Sequence, residues 1–391
     1  MIPKFKIRSL SVSRKATYQF REIMTEDVLM EIAKKLTNQD IYEVEWLEKR
    51  NEGRYIFLET DEHVYFISIS NYGLVTGRNS YMQNVATAYT DFLNFQTDKS
   101  KEFCYYSVYY EGNNKTNLLK FYYKLMKTFG CRFINEDYIM GGHIINTPYT
   151  TVKEIIRSRN ALRVTNLSNQ SSYITEEGDF YHFYGKTFGA NSKETVLICY
   201  ALSAIADKTI RLFQIADNDS VSLGKEDQKM IEMLGKIEIV GVGYDFDENS
   251  NELKEKDPND IRDQVRFNFN LLSRLGEKQC IMCDCKIDSL IHAAHVWPIA
   301  SIKGDTNLSL EEKREHAISE HNGVWLCQNH HKLFDMNFIS INHNSSVINQ
   351  NLSECNKNFL EYITTKLFIP ENYITREFNN YLNRRHEYYN S

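Results

Sequence analysis

Residues 280–300, CIMCDCKIDSLIHAAHVWPIA, and 321–341, HNGVWLCQNHHKLFDMNFISI, decide how this chain is read. Four of its eight cysteines (Cys280, Cys283, Cys285, Cys327) and six of its eleven histidines (His292, His295, His316, His321, His330, His331) fall in one short stretch. The other cysteines (Cys104, Cys131, Cys199, Cys355) are scattered and read as small core residues. Such clustering favours a metal over disulfides in a reducing compartment. Cys280-x2-Cys283 can grip an ion from one knuckle. Cys327-x2-His330 supplies a second knuckle after 43 intervening residues. Cys280, Cys283, Cys327 and His330 form a Cys3His set suited to structural Zn²⁺. Cys285 is an alternative ligand, but its one-residue gap from Cys283 is poor knuckle geometry.

The same stretch resembles the HNH endonucleases, which share the ββα-metal fold. The resemblance rests on His295 in AHVWP, Asn322 in HNGVWLC and His331 in CQNHHKLFD. Asn322 precedes His331 by nine positions and Pro298 follows His295 by three, both as in that family. Within it, the AAH…NG…LC…H..LFD variant is similar to modules of bacterial restriction-type and defence nucleases. The resemblance covers about 60 residues.

What the resemblance implies is phosphodiester hydrolysis with His295 as general base. A neutral imidazole with a pKa near ~6.5 can take a proton from water around pH 7. His295 is expected at the end of a β-strand. Asn322 is expected to fix the loop and orient His295. His331 is the expected ligand of a catalytic Mg²⁺ or Mn²⁺. Asp335, four residues on, shares its face if the segment is helical, and reads either as a second ligand or as a structural residue at the helix end. The chain departs from the family at Ala294, where many members carry an acid or a second histidine. His292 lies too far upstream to be a simple replacement, and His321 reads either as a substitute ligand or as a surface residue.

Outward from this site, the chain has 391 residues, 42% hydrophobic and 25% charged, which is ordinary globular composition and excludes a disordered or collagen-like chain. The fold class expected is α+β and multi-domain. A mixed α/β recognition region occupies 1–170, an α/β subdomain 171–250, and a zinc-stabilised HNH nuclease domain with a helical tail 251–391. The polar stretch 247–260, DENSNELKEKDPND, is the best linker. The longest apolar run, Val196 to Ala206, is too short to span a bilayer, and MIPKFKIRSL carries no apolar signal-peptide core. A soluble, cytoplasmic protein with no membrane partner is expected.

In the first 170 residues, 25–36 reads as a helix with Thr25 at its N-cap, 54–60 and 63–70 as a hairpin, and 117–130 as a helix stopped by Gly130. In 171–250, alternating strands and helices point to a mostly parallel sheet. Its loop GKTFGANSKET (185–195) precedes a helix with Ser192 as candidate N-cap, and reads either as a capped turn or as an anion pocket. It is not a P-loop, because Phe180 stands where the first glycine is needed.

The net charge of −6 gives no bulk argument for nucleic acid, but charge is unevenly placed. Residues 1–20 carry Lys4, Lys6, Arg8, Arg14 and Lys15 with no acid, and 101–163 carries ten bases against five acids. Candidate DNA contacts are Lys4, Lys6, Arg8, Arg14, Lys186 and Lys193. The last helix, with Arg384, Arg385 and His386, reads either as a phosphate contact or as the end of the domain.

The function these features imply is a sequence-specific, type II restriction-like endonuclease acting on double-stranded DNA. A single-strand-cutting domain implies a homodimer on DNA. A cognate methyltransferase would be its natural companion. The alternatives are a modification-dependent or ligand-triggered HNH defence nuclease and, from another class, a non-catalytic zinc-stabilised DNA-binding module.

Overall fold

The computed structural model describes residues 4–11, 26–38, 43–46, 53–68, 78–96, 100–108, 117–134, 147–165, 172–189, 191–216, 223–240, 261–342, 346–349 and 353–390. Arg14, Thr25 and the linker 247–260 lie outside them.

The first part of the chain runs β1 (Lys4–Ser11), α1 (Glu26–Thr37), β2 (Glu43–Trp46), β3 (Gly53–Glu59), β4 (His63–Ser68), α2 (Arg78–Phe95), β5 (Glu102–Val108), α3 (Asn117–Thr128), β6 (Arg132–Ile134) and α4 (Val152–Thr165). Its six strands form one sheet in the order β2-β1-β3-β4-β5-β6. The expected hairpin is present: β3 and β4 pair antiparallel, from Tyr55 opposite Ser68 to Glu59 opposite Val64. β4, β5 and β6 run parallel, as the intervening helices require. Gly130, at φ 91°, follows α3 and turns the chain.

There follow β7 (Ser172–Glu177), β8 (Phe180–Lys186), α5 (Asn191–Ile205), β9 (Thr209–Ile215), α6 (Lys225–Met233) and β10 (Ile237–Val240). These strands form a second sheet in the order β10-β9-β8-β7. α5 begins at Asn191, so Ser192 lies inside its first turn instead of capping it. The Ser192 hydroxyl donates back to the Gly189 carbonyl at 2.8 Å. Gly189, at φ 59°, stands two residues before the helix start.

The C-terminal part runs α7 (Gln264–Leu275), β11 (Ile291–His295), α8 (Ile299–Gly304), α9 (Leu310–Ile318), β12 (Gly323–Cys327), α10 (Gln328–Asp335), β13 (Ile339–Ile341), β14 (Val347–Asn349), α11 (Glu354–Ile363) and α12 (Arg376–Asn390). β11 and β12 pair antiparallel from Ile291 opposite Cys327 to His295 opposite Gly323, and α10 follows directly, giving ββα. α7 starts at Asp263, whose carboxylate accepts from the Arg266 N–H at 2.9 Å, and stops at Gly276, φ 77°. α9 opens on a capping box between Ser309 and Glu312.

Two compact units result: Met1–Ile174 with Gly185–Leu212 and Ala216–Ile239, and Thr175–Tyr184 with Phe213–Ile215 and Val240–Ser391. The first packs an aromatic core in which Tyr89, Phe92, Tyr105, Phe129 and Tyr200 meet with ring centroids 4.3–5.9 Å apart. The second packs Ile261, Trp297, Ile299, Ile302 and Ala317 beside β11 and β12, with Leu308 and Tyr381 against them. Among the described residues no helix is long and apolar enough to cross a membrane.

Candidate active site and metal centre

The two knuckles of the sequence converge. One ligand atom from each of Cys280, Cys283, Cys327 and His330 lies within 4.8 Å of the others. Cys283 Sγ is 3.8 Å from Cys327 Sγ, and His330 Nδ1 is 3.1 Å from Cys327 Sγ and 3.5 Å from Cys280 Sγ. Zinc–sulfur bonds of ~2.3 Å at tetrahedral angles separate two thiolates by about 3.8 Å, so the cluster has the dimensions of a zinc site. Its chemistry fits too. Burial pushes the Cys280 thiol up to about 12 and the His330 imidazole down to about 4, so both favour their neutral forms in the absence of a cation. A divalent ion offsets the burial of the thiolates, and a neutral imidazole is the form that ligates. His330 Nε2 stands 3.1 Å from Thr364 Oγ1, a partner that fixes Nδ1 as the ligating nitrogen. Lys366 clamps the first knuckle, with Nζ donating to the Cys283 carbonyl at 3.0 Å and its N–H to the Met282 carbonyl at 3.1 Å.

His295 ends β11, as expected. Its ring stacks on Phe267 of α7, centroids 3.9 Å apart and planes 9° from parallel. Nε2 lies 2.8 Å from the Ala317 carbonyl, which can only accept, so Nε2 carries the proton and Nδ1 the lone pair. Burial lowers its pKa to about 4, against the Ala317 carbonyl, which raises it. The stack depends on Gly323 opposite His295. A Cβ there would meet Phe267 Cζ at 2.6 Å and Leu271 Cδ2 at 2.7 Å. The glycine of the HNG triplet is thus required by close approach of α7.

Asn322 is fully buried. Its Oδ1 accepts from the Trp297 N–H at 2.7 Å, and Nδ2 donates to the His316 carbonyl at 3.0 Å and the Trp297 carbonyl at 3.3 Å. It therefore holds the chain that follows His295 and the residue before Ala317. Its hold on the His295 ring runs through those segments.

His330 and His331 are consecutive on α10 and face different surroundings. His331 is half-buried, and its Nε2 is 3.4 Å from Asp335 Oδ2 one turn on. His292 of β11 brings its ring to 5.9 Å from that of His331, 25° from parallel. Burial lowers the His331 pKa, and Asp335 opposes that shift.

Other residues singled out in the sequence have structural partners. His321 Nδ1 is 3.0 Å from Thr375 Oγ1, which also accepts from the Phe378 N–H as the N-cap of α12. Arg385 is fully buried, with its guanidinium 3.6 Å from the Phe334 ring and donating to the Val296 and Phe334 carbonyls. Of the two readings of the last helix, Arg385 takes the domain-closing one. Lys193 pairs with Asp227, Lys186 lies 5.7 Å from the Phe188 ring, and Lys4, Lys6 and Arg8 are on β1. Phe267, Ala317 and Thr364 carried no sequence signal, since each acts through a contact distant in the chain.

Residues 280–342 match the family model described as HNH endonuclease. The chain carries an HNH endonuclease domain in its C-terminal part. No curated protein matches the chain.

Proposed function

We propose that the chain is a sequence-specific, type II restriction-like endonuclease that hydrolyses phosphodiesters of double-stranded DNA by a one-metal mechanism. The observation that carries it is the state of His295: its Nε2–H is committed to Ala317, its ring is clamped on Phe267, and its Nδ1 is left as a lone pair at neutral pH. Nδ1 takes the proton of the attacking water. His331 and Asp335 would hold a Mg²⁺ or Mn²⁺ ion, which would supply charge stabilisation for phosphodiester hydrolysis. Asn322 keeps the Val296–Pro298 turn in place. Cys280, Cys283, Cys327 and His330 hold the structural Zn²⁺.

The first 260 or so residues supply recognition, since cutting needs little beyond the HNH domain. Lys4, Lys6, Arg8, Arg14, Lys186 and Lys193 are the candidate phosphate contacts. One site cuts one strand, so cleavage of both strands calls for two copies on the DNA. The test is digestion of unmodified phage and plasmid DNA with Mg²⁺, followed by sequencing of the ends. Discrete fragments sharing one motif are expected, and a His295→Ala protein should leave the DNA intact. Wild-type cutting by that variant sinks the mechanism, and a smear of random ends sinks the specificity.

A further inference from the structure

Arg385 is fully buried on α12, and it reaches the nuclease site from two sides. Its Nη1 donates to the Val296 carbonyl at 3.3 Å, on the residue directly after His295. Its Nη2 donates to the Phe334 carbonyl, on the residue directly before Asp335. One turn further along α12, the Tyr389 hydroxyl donates to the Asp335 carbonyl at 2.6 Å. The guanidinium lies between two rings, with Cζ 3.6 Å from the Phe334 centroid and 4.6 Å from that of Tyr389. A rigid fork held this way has one orientation, so its two arms set one separation between the end of β11 and α10. His295 is the last residue of β11, and His331 and Asp335 are on α10.

The charge is costly where it sits. Burial works against it and lowers the Arg385 pKa to about 10. What it supplies that an apolar side chain of that length lacks is the pair of directed bonds. The geometry points to Arg385 as a positioning residue for phosphodiester hydrolysis, which through the Val296 and Phe334 carbonyls sets how far His295 stands from the His331–Asp335 pair. This rests on the reading of His295 as general base and of His331 and Asp335 as its partners in the reaction. A misplacement of ~1 Å between reacting groups can cost about 100-fold in rate. Binding of DNA draws on a wider surface, so the loss should fall on the rate and spare affinity.

The test is single-turnover nicking of supercoiled plasmid DNA with Mg²⁺ or Mn²⁺ added, on full-length protein with verified Zn²⁺ content. Varying the protein concentration separates the maximal rate from the half-saturating concentration. Arg385→Met keeps the length and the ring contacts and removes both bonds. It should lower the maximal rate about 10- to 100-fold and leave half-saturation within a few-fold of wild type. Arg385→Lys keeps a donor but cannot span both carbonyls, and should recover part of that rate. Tyr389→Phe keeps the ring and loses one bond, and should show a smaller loss of the same kind. Leu382→Ala, at a buried apolar position of the same helix, controls for lost stability and should keep the wild-type rate. All variants are compared at equal distance below their own Tm. A folded Arg385→Met that cuts at the wild-type rate overturns the positioning role, as does an equal loss of rate in Leu382→Ala. Should Arg385→Met not fold, wild-type rates in both Arg385→Lys and Tyr389→Phe overturn it. Wild-type cutting by His295→Ala overturns the underlying reading instead, whatever the Arg385 variants do.

Discussion

Replacing Asn322 by alanine should weaken the HNH domain before it touches the chemistry. The substitution strips an acceptor from the Trp297 N–H and a donor from the His316 carbonyl, both at good distance, and a longer bond to the Trp297 carbonyl. Each buried group left unsatisfied costs about 1–3 kcal/mol, so the two strong bonds together put the loss at about 2–6 kcal/mol. For a unit of this size each kcal/mol lowers Tm by about 2–4 °C, giving a drop of roughly 10 °C. Asn322→Asp is the sharper variant. One carboxylate oxygen still accepts from Trp297, but the other faces two carbonyl oxygens. Burial and those carbonyls raise the folded pKa of the new carboxyl above its unfolded value of about 3.9. A raised folded pKa contributes its stability below the unfolded pKa and loses it as pH rises through the folded one. The variant should thus fall behind wild type by up to about 1.4 kcal/mol per pH unit until its folded pKa is passed. Urea unfolding between pH 5.5 and 8, followed by tryptophan fluorescence with Zn²⁺ retained, reads this directly. A stable Asn322→Ala protein that no longer cuts DNA would refute the staple and place Asn322 in the chemistry, as would a pH-independent Asn322→Asp.

Three other outcomes follow from the geometry. Gly323→Ala drives a methyl into Phe267 and Leu271, and should cost about 1–3 kcal/mol of stability while unseating the His295 stack and slowing single-turnover cleavage; unchanged stability and rate would show that α7 does not press on β12. Because burial depresses the His295 pKa to about 4, its basic form persists as pH falls, so the acid limb of the cleavage rate should lie below pH 6; a midpoint near 6.5 would mean that the ring is solvated. Removing Zn²⁺ with a strong chelator, or Cys327→Ser, should unfold the HNH domain by circular dichroism; Zn²⁺ should restore the chelated protein and excess Mg²⁺ should not, while chelated protein that keeps its fold would remove the metal from the structural account.

The nuclease domain was legible because its constraints are local in sequence. Two ligands three apart form a knuckle whatever surrounds them, and Asn322, Gly323 and His331 sit on adjoining elements whose lengths fix their spacing. The hairpin 54–70 and the helix ending at Gly130 were equally legible, from β-rich runs around Asp61-Glu62 and from a glycine at positive φ. What supports the site was not legible. Phe267 is one apolar residue of an amphipathic helix, and nothing at position 267 announces that its ring lies under His295. Ala317 contributes through its carbonyl, which every residue has. Ser192 reads as a cap because serine before an apolar run usually is one, but the helix begins at Asn191 and the Ser192 hydroxyl bonds back to the Gly189 carbonyl.

The Cys3His cluster and the His331–Asp335 pair share their framework, and that sets how each can be changed. β12 runs from Gly323, opposite His295, to the zinc-cluster residue Cys327, and the Ile281 N–H donates to the Trp325 carbonyl at 3.1 Å in its middle. One residue into the next helix turn, His330 faces the thiols and His331 faces Asp335. Loss of the cluster frees the start of α10, so His331 loses its place along with His330. Loss of Asp335 leaves the cluster untouched. A change at exposed Asp335 is therefore felt at the edge of α10 alone, whereas a change at the knuckles is felt at both places, because the knuckles fix where α10 begins.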